Sequence, residues 1–421
     1  MRFVDTRRET PSLGGTQCDG SGVSNAHEEA LDSAQGWLIV GLGICILTAI
    51  WGAVFTFTVY ADRLAATFSL SALQVSSVFS ITTAVFLMAG GLFGVFAAWF
   101  PLRPVLAMVG IGLVVTTALL QIVDSYLGVV VAFVLLGTAG GTAFTIVVSL
   151  APQWFDAYQG LATSLTMTGI GLGPLVLPFA WLWLFDQTGF RSAFAVVVGV
   201  TAVLVFVSGL VYQRPPRSSQ NATTVDAAWL RARISDSRFL STALGFALAF
   251  SWYYVLSAHL VEILTANGID VKIATAGLSI IGGVSVFTRV GGGIIGDRVG
   301  QRKTFMTSAV LASLCAFGFP FAHSNLLIYI VLFGFGIALG PLASLWSPII
   351  LTRFGSENAT ATVGLMNIAV AGSAFLTPLI VNALHRVTGG SILPLILLGA
   401  ITIFGAALFH WGTNPPSGDS D

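Results

Sequence analysis

The sequence predicts an all-α membrane protein in which twelve transmembrane helices form two pseudo-symmetric six-helix bundles. Apolar residues make up 55% of the chain and charged residues 9%, and the mean hydropathy is +0.89. Soluble proteins carry about 25% charged residues. Apolar stretches of about 20 residues recur along the chain, without the period of two that is typical of strands. Finally, one polar stretch separates the first six apolar segments from the last six, and similar motifs occur in both groups.

The apolar segments are separated by short polar turns, and each can cross a bilayer as a helix. The shortest separations are at residues 123–125 and 323–325. Residues 1–35 are polar and have no apolar signal region, so we predict a disordered tail. The segments lie at about 36–60, 72–98, 103–123, 126–150, 159–184, 191–213, 240–264, 272–296, 303–323, 325–350, 358–382 and 390–412.

The longest internal polar stretch, residues 214–239, is predicted to link a first bundle at 36–213 to a second at 240–412, with a tail at 413–421. The two bundles resemble each other in sequence. Residues 162–178 align with residues 362–378, and both stretches are rich in small residues and end in proline. Parallel repeats of six spans each indicate a transporter with its site between the halves.

The positive charges predict the orientation, because cytoplasmic loops carry an excess of Lys and Arg. With the N-terminus inside, the cytoplasmic segments hold thirteen of the eighteen Lys and Arg residues, and Arg289 lies within the membrane. We predict a multi-pass protein of the plasma membrane with both termini in the cytoplasm. The outer loops are left with Arg63, Arg191, Lys272 and Arg386.

The composition argues against several other classes of protein. The net charge is zero, which gives no reason to expect a nucleic-acid partner. Cys18, Cys45 and Cys315 are scattered, so neither a disulfide framework nor a metal site is expected, and no cofactor is predicted. A membrane enzyme would need an embedded nucleophile–base pair or metal ligands, and a sensor would need a folded soluble domain. We therefore expect a transporter, acting as a monomer, and not an enzyme.

One charge, Arg289, lies deep in an apolar segment, where insertion of an arginine is unfavourable by about 2.5–3.5 kcal/mol. Such a residue suggests a function, and its guanidinium offers two parallel donors to a carboxylate. Two other interpretations stay open: snorkelling to the surface, or hydrogen bonds to helix carbonyls. To reach the surface by snorkelling, the Arg289 side chain would have to span about 12 Å along the helix. Asp297, in the next polar turn, is eight residues further on.

That polar turn has the sequence GDRVGQRK. It resembles the signature loop of the major facilitator superfamily, in its second-half copy. The resemblance implies two six-helix bundles and a cytoplasmic gate in which Asp297, Arg298 and Arg302 hold a neighbouring helix end. Asp297 is expected to cap a helix N-terminus. In the first-half copy Ala98 and Trp99 replace the charged pair, so we expect the second half to hold the gate.

Three further places resemble the monocarboxylate transporter family, in a prokaryotic type related to the oxalate:formate antiporters. Residues 32–37 partly match its D-G-G-W-G-W entry, residues 154–169 keep its Y-F, L-A and G positions in part, and Arg289 matches its substrate-anchoring arginine. The resemblance implies transport of a small monocarboxylate anchored by Arg289. The chain departs from the family at Ser285, which stands where the family has an Asp, and this puts proton coupling in doubt.

One cation suits one carboxylate. The related oxalate:formate antiporters use a second cation in the eleventh helix, where this chain offers Asn367 and no Lys or Arg. Aromatic residues could line the organic part of a substrate, although packing is the commoner role for an aromatic side chain in a membrane helix. The aromatic residues available for such a lining are Trp51, Phe55, Tyr253, Tyr254 and Trp346. The alternative is an exchanger or exporter of another organic anion or of a drug. The predicted substrate site comprises Arg289, Ser285, Asn367, Tyr254 and Trp346.

Coupling to protons would need a titrating group in place of the missing Asp. His259 and Glu262, near the outer end of the seventh segment, are the candidates, because histidine titrates near neutral pH. An interfacial histidine without a transport role is the other interpretation. Uniport or anion exchange would need neither residue.

Overall fold

In the computed structural model, the described residues are 33–96, 100–155, 159–212, 225–266, 268–322, 324–355, 358–390 and 392–414. They fold almost entirely into α-helices. The predicted tails, apart from 33–35 and 413–414, lie outside the described residues, as do Ala98, Trp99 and much of the linker. The helices are α1 Ala34–Phe55, α2 Phe57–Phe68, α3 Ala72–Phe96, α4 Leu102–Ile122, α5 Tyr126–Leu150, α6 Gln159–Gln187, α7 Phe190–Val211, α8 Ala227–Ser235, α9 Ser237–Ala249, α10 Ser251–Ala266, α11 Val271–Val299, α12 Gln301–Gly318, α13 Asn325–Phe354, α14 Ala359–Thr388 and α15 Ile392–Thr413.

The predicted fold of twelve membrane helices is confirmed. Twelve helical spans in the described part of the chain are long and apolar enough to cross a membrane. The first span is α1, which α2 follows directly, and the seventh consists of α9 continued by α10. The ninth span includes the 3-10 turn that follows α12, and the remaining spans are single helices. Two short 3-10 turns, at 151–154 and 319–321, follow α5 and α12.

Two pairs of helices, α1 with α2 and α9 with α10, are each separated by one short interruption. Helix α1 stops at Thr56, whose φ of −100° and ψ of 25° lie outside the helical range. Helix α9 stops at Phe250 before α10 begins. Interrupted helices in corresponding positions of the two halves are typical of transporter binding sites near the middle of the bilayer. Both breaks therefore mark the region in which a site is expected.

Arg63 lies between the first two spans, as expected, but on a helix and not in a loop. It is an exposed residue of α2, which runs on from α1 to Phe68. The helix persists because Tyr60, Leu64 and Phe68 recur every four residues and are buried. Charged residues on the exposed side of this amphipathic helix made the segment look as if it ended near residue 60.

The predicted linker contains a helix, α8. Two arginines from this region bind the ends of other helices. Arg233 donates a hydrogen bond to the Phe354 carbonyl at the end of α13. Arg238, in the first turn of α9, donates to the Trp411 carbonyl near the end of α15 at 2.7 Å and stacks over the Trp411 ring. Cations at helix C-termini compensate the negative end of the helix dipole.

The two halves touch where glycines meet. A Cβ on Gly91 of α3 would lie 2.6 Å from the Gly364 carbonyl oxygen of α14. A Cβ on Gly282 of α11 would likewise lie 2.8 Å from the Gly171 carbonyl oxygen of α6. Side chains at these positions would separate the helices, so the small residues allow direct backbone contact between the halves.

The helix ends form two faces. We call the side with Arg298, Arg302 and Arg353 the basic face, and the other side the opposite face. Towards the opposite face, hydrogen bonds join the halves: Thr58 Oγ1 accepts from the Val261 amide at 2.9 Å, and the Asn382 side chain donates to Ser76. The halves are therefore held together on the opposite face in this conformation.

Candidate functional site

The position of Arg289 is fixed by a close contact between α11 and α13. Thr288 Oγ1 donates a hydrogen bond to the Gly336 carbonyl of α13 at 3.0 Å. One turn further along α13, a Cβ on Gly340 would lie 2.6 Å from the Arg289 amide nitrogen. The two backbones are thus in contact at the residue that carries the charge. This contact holds the base of the Arg289 side chain.

The Arg289 side chain is buried, with 6% of the residue exposed. It therefore does not reach the surface of the protein, which argues against snorkelling. Its Nε and Nη1 atoms are buried and have no hydrogen-bond partner, which argues against a role in bonding helix carbonyls. No carboxylate forms an ion pair with it in the part of the chain that the structure describes. A buried charge without partners is strongly unfavourable, so an anionic ligand would stabilise this site.

A hydrogen bond across the two halves lies near this cation. Trp51 Nε1 of α1 donates to the Tyr253 hydroxyl of α10 at 2.8 Å, and both residues are buried. Tyr253 lies within electrostatic range of the Arg289 guanidinium. The hydroxyl accepts from Trp51 and can still donate its own proton. Sequence reasoning named both aromatic residues only as lining and did not predict their hydrogen bond.

Aromatic rings surround the Trp51–Tyr253 hydrogen bond. Trp51 stacks on Phe55 with ring centroids 4.5 Å apart and meets Phe86 and Phe144 at 5.4 and 5.1 Å. Tyr254, a predicted site residue, is buried 6.3 Å from Phe55 by ring centroids. The structure thus places polar donors beside an apolar aromatic wall, an arrangement typical of small-molecule sites.

The remaining predicted substrate residues occupy different surroundings. Ser285 lies one turn before Arg289, is fully buried beside Gly171 of α6, and donates to the Gly282 carbonyl at 2.7 Å. Asn367 is buried on α14. Trp346 is half-buried on α13 and stacks on Phe246, with ring centroids 4.7 Å apart.

His259 and Glu262 form a separate site towards the opposite face. His259 Nδ1 lies 3.0 Å from Glu262 Oε2, whereas the buried Nε2 atom has no hydrogen-bond partner. Both residues line a cavity of about 80 Å³ together with Asn382 and His385 of α14. Asn382 is also the donor to Ser76 of the first half. This titratable pair is therefore adjacent to a contact that joins the halves.

The predicted gate residues differ in their surroundings. Asp297 and Arg298 are exposed at the end of α11. Asp297 does not cap α12, whose N-cap residue is Gly300, with a φ of 108° and no side-chain cap hydrogen bond. Arg302 does hold a helix end: its Nη2 donates to the His410 carbonyl at 2.9 Å and to the Asn414 side chain, at the end of α15.

Two similar halves, interrupted helices and a buried cation near Tyr253 are together typical of a membrane transporter. The sequence profile of the Major Facilitator Superfamily matches residues 40–378 and 239–420. The chain therefore belongs to this superfamily, as its polar turn predicted.

Similar proteins support the same class. Monocarboxylate transporter 13 of Rattus norvegicus is 23% identical over 388 residues, which cover 90% of this chain and 89% of that protein. The MFS transporter asaE of Aspergillus flavus is 24% identical over 274 residues, covering 63% and 60%. A crystal structure of a bacterial homolog of the human lysosomal transporter Spinster, inward-facing and unoccupied, matches with a TM-score of 0.70 at 15% identity, covering 91% of this chain and 98% of that one. The last likeness concerns the fold alone. These relatives are transporters and not enzymes, as expected.

The Trp51–Tyr253 hydrogen bond predicts a conformational effect. Tyr253→Phe leaves the buried Trp51 donor unpaired, at a cost of about 1–3 kcal/mol. Because this hydrogen bond joins the halves, we expect a larger population in which they separate on the opposite face. Spin labels at the exposed residues Thr188 and Arg386 should then report longer distances in ligand-free protein. Tyr329→Phe, elsewhere in the second half, is the control, and equal distance distributions in all three proteins would contradict the prediction.

Proposed function

We propose that this protein transports a small monocarboxylate, similar to lactate, pyruvate or acetate, by alternating access, with Arg289 anchoring the carboxylate. The observation that carries the proposal is the buried Arg289 guanidinium, of which Nε and Nη1 have no partner. A carboxylate would supply the missing acceptors in bidentate geometry. The Tyr253 hydroxyl would donate a further hydrogen bond.

The charges near the site support a substrate with a single carboxylate. On α14, the only Arg is Arg386, two residues before the helix ends at the opposite face, and the buried Asn367 is uncharged. A dicarboxylate would leave its second charge without a cation in this region. The aromatic residues around Trp51 would contact the organic part of the substrate. The resemblance to monocarboxylate transporter 13 supports the same substrate class.

Uptake by proteoliposomes tests the proposal. The purified full-length chain would be reconstituted and offered labelled monocarboxylates, a dicarboxylate and an uncharged amide, with and without a pH gradient. We expect saturable uptake of at least one monocarboxylate and none of the dicarboxylate or the amide. Equal uptake of a monocarboxylate and of the uncharged amide would contradict the proposal.

A second candidate function is exchange or export of another organic anion or of a drug. The aromatic cluster around Trp51 favours it, because rings bind apolar molecules without requiring a carboxylate. The Aspergillus flavus relative, named only as an MFS transporter, fits either function. In this case uncharged aromatic compounds should be transported, and Arg289 should be dispensable.

We also propose that His259 and Glu262 carry a co-transported proton. Support comes from the Nδ1–Oε2 contact at 3.0 Å and from their position next to the Asn382–Ser76 contact between the halves. His259→Gln removes the titrating ring, so accumulation driven by a pH gradient should fall to the level without a gradient. Exchange of labelled for unlabelled substrate should persist. His410→Gln, on the basic face, is the control. Unchanged accumulation in His259→Gln would exclude this residue as the carrier.

We also propose that the protein lies in the plasma membrane with its basic face in the cytoplasm. We propose further that it acts as a monomer. The distribution of Lys and Arg supports the orientation. In a chain with Cys18, Cys45 and Cys315 replaced by alanine, single cysteines at Thr188 and Arg386 should react with an impermeant thiol reagent in intact cells. A cysteine at Arg298 should react only after lysis. The reverse pattern would invert the orientation.

A further inference from the structure

A second cavity lies on the basic face of the second half, and Arg289 does not line it. It has a volume of about 1020 Å³ and lies where α11 ends, α12 begins, and α13 and α15 end. None of the proposed substrate or proton sites includes it. Its polar lining includes Asp297, Arg302, Lys303, Thr352, Arg353 and His410.

The lining has an excess of positive charge. Three cations, Arg302, Lys303 and Arg353, face one carboxylate, Asp297. No ion pair joins these side chains in the part of the chain that the structure describes. Arg302 and Arg353 are close enough for their charges to repel each other. An anion between them would replace this repulsion with attraction.

Two of the arginine nitrogens lack an acceptor. The Nε atoms of Arg302 and Arg353 are both buried and have no hydrogen-bond partner. Arg302 uses its Nη2 atom to hold the end of α15, so its guanidinium is fixed in place while Nε stays unpaired. Buried donors in proteins normally have an acceptor. Each of the two arginines that line the cavity therefore has an unused donor.

The start of α12 adds further donors. Its cap is Gly300, which has no side chain to accept from the first amide groups of this 18-residue helix. Gly300, Gln301, Arg302 and Lys303 all line the cavity. Unpaired amide groups and the positive end of the helix dipole favour anions, phosphate groups in particular.

Membrane orientation alone does not explain this arrangement. A positive charge that fixes orientation needs only to be on the correct side. Arg298 fits that description, because it is exposed and outside the cavity lining. Arg302 and Arg353 do not fit it, because their Nε atoms are buried and unpaired, which a charge that only fixes orientation does not require.

We propose that this cavity binds a phosphate-bearing group, which Arg302, Lys303, Arg353 and the first turn of α12 hold together. The group is either the headgroup of an anionic lipid or a soluble phosphate compound. The proposal does not depend on which substrate the protein transports.

The test uses the full-length chain and two probes. Native mass spectrometry in a neutral detergent would compare the binding of phosphatidylglycerol with that of phosphatidylcholine. Thermal unfolding would be followed during a pyrophosphate titration at constant ionic strength. Arg353→Gln and Lys303→Gln each remove one lining cation, and Arg298→Gln removes a cation from the same loop outside the cavity. Arg302 is left intact because it holds α15. Lys303 is exposed, so its variant provides the test if Arg353→Gln folds poorly.

We expect wild type to bind at least one probe, and each lining variant to weaken that binding about tenfold. Arg298→Gln should bind like wild type. Preference for phosphatidylglycerol without a response to pyrophosphate identifies a lipid headgroup. Stabilisation by pyrophosphate without a preference for phosphatidylglycerol identifies a soluble phosphate compound. Both outcomes support the proposal. No binding of either probe to wild type, or equal weakening by Arg298→Gln, would overturn it.

Discussion

Arg289→Gln is expected to bind a transported monocarboxylate about ten- to a hundredfold more weakly than wild type, because one charge-assisted hydrogen bond contributes about 1.5–3 kcal/mol. Arg289→Lys keeps the charge and loses the bidentate geometry, so its affinity should lie between the two. Equilibrium binding to purified protein at one pH measures both effects.

Both variants should express and fold, because removing an embedded charge relieves an unfavourable insertion term. Their melting temperatures without substrate provide the control, and they should be no lower than that of wild type. Snorkelling predicts a different pattern, in which Lys substitutes freely and Gln leaves the affinity unchanged. Equal affinities of all three proteins would remove Arg289 from the substrate site.

Gly340→Ala is expected to lower both stability and transport. The added Cβ would lie 2.4 Å from the Thr288 carbonyl carbon and 2.6 Å from the Arg289 amide nitrogen. These are backbone atoms, so the contact cannot be relieved by rotating a side chain, and α11 has to move away from α13. Overpacking of this kind costs about 1–3 kcal/mol or more. Because the displaced residue carries the guanidinium, we expect weaker substrate binding together with a lower melting temperature.

Gly291→Ala is the matched control. Gly291 lies on α11, two residues after Arg289, and a Cβ there would have no neighbour within 4 Å. Stability should be unchanged or slightly higher, because alanine is the better helix former. If Gly340→Ala matched Gly291→Ala in melting temperature and affinity, the α11–α13 contact would not position Arg289.

The features predicted from the sequence are those that depend on neighbouring residues. Apolar runs of bilayer length predicted the twelve spans, and the small-residue repeat predicted two similar halves. Arg289 stood out because it is a charge among apolar neighbours. The turn around Gly300 predicted the superfamily, which the sequence profile then confirmed.

Features that the sequence did not predict depend on contacts between distant residues. The Trp51–Tyr253 hydrogen bond joins residues 202 positions apart, and nothing local distinguishes these aromatics from those that only pack. A signal was available in Thr56 and Thr58, two polar residues inside the first apolar segment, where the helix breaks and contacts the other half. Arg302 was assigned to a gate, but its partners at the end of α15 lie 108 and 112 residues further along.

The most direct measurement of the central claim varies the ligand and the protein together. Binding of a monocarboxylate and of the amide of the same shape would be compared in wild type and in Arg289→Gln, which gives a double-mutant cycle between the two charges. If the guanidinium holds the carboxylate, wild type should prefer the acid at least about tenfold, and Arg289→Gln should lose most of this preference. The same preference for the acid in both proteins would contradict the account.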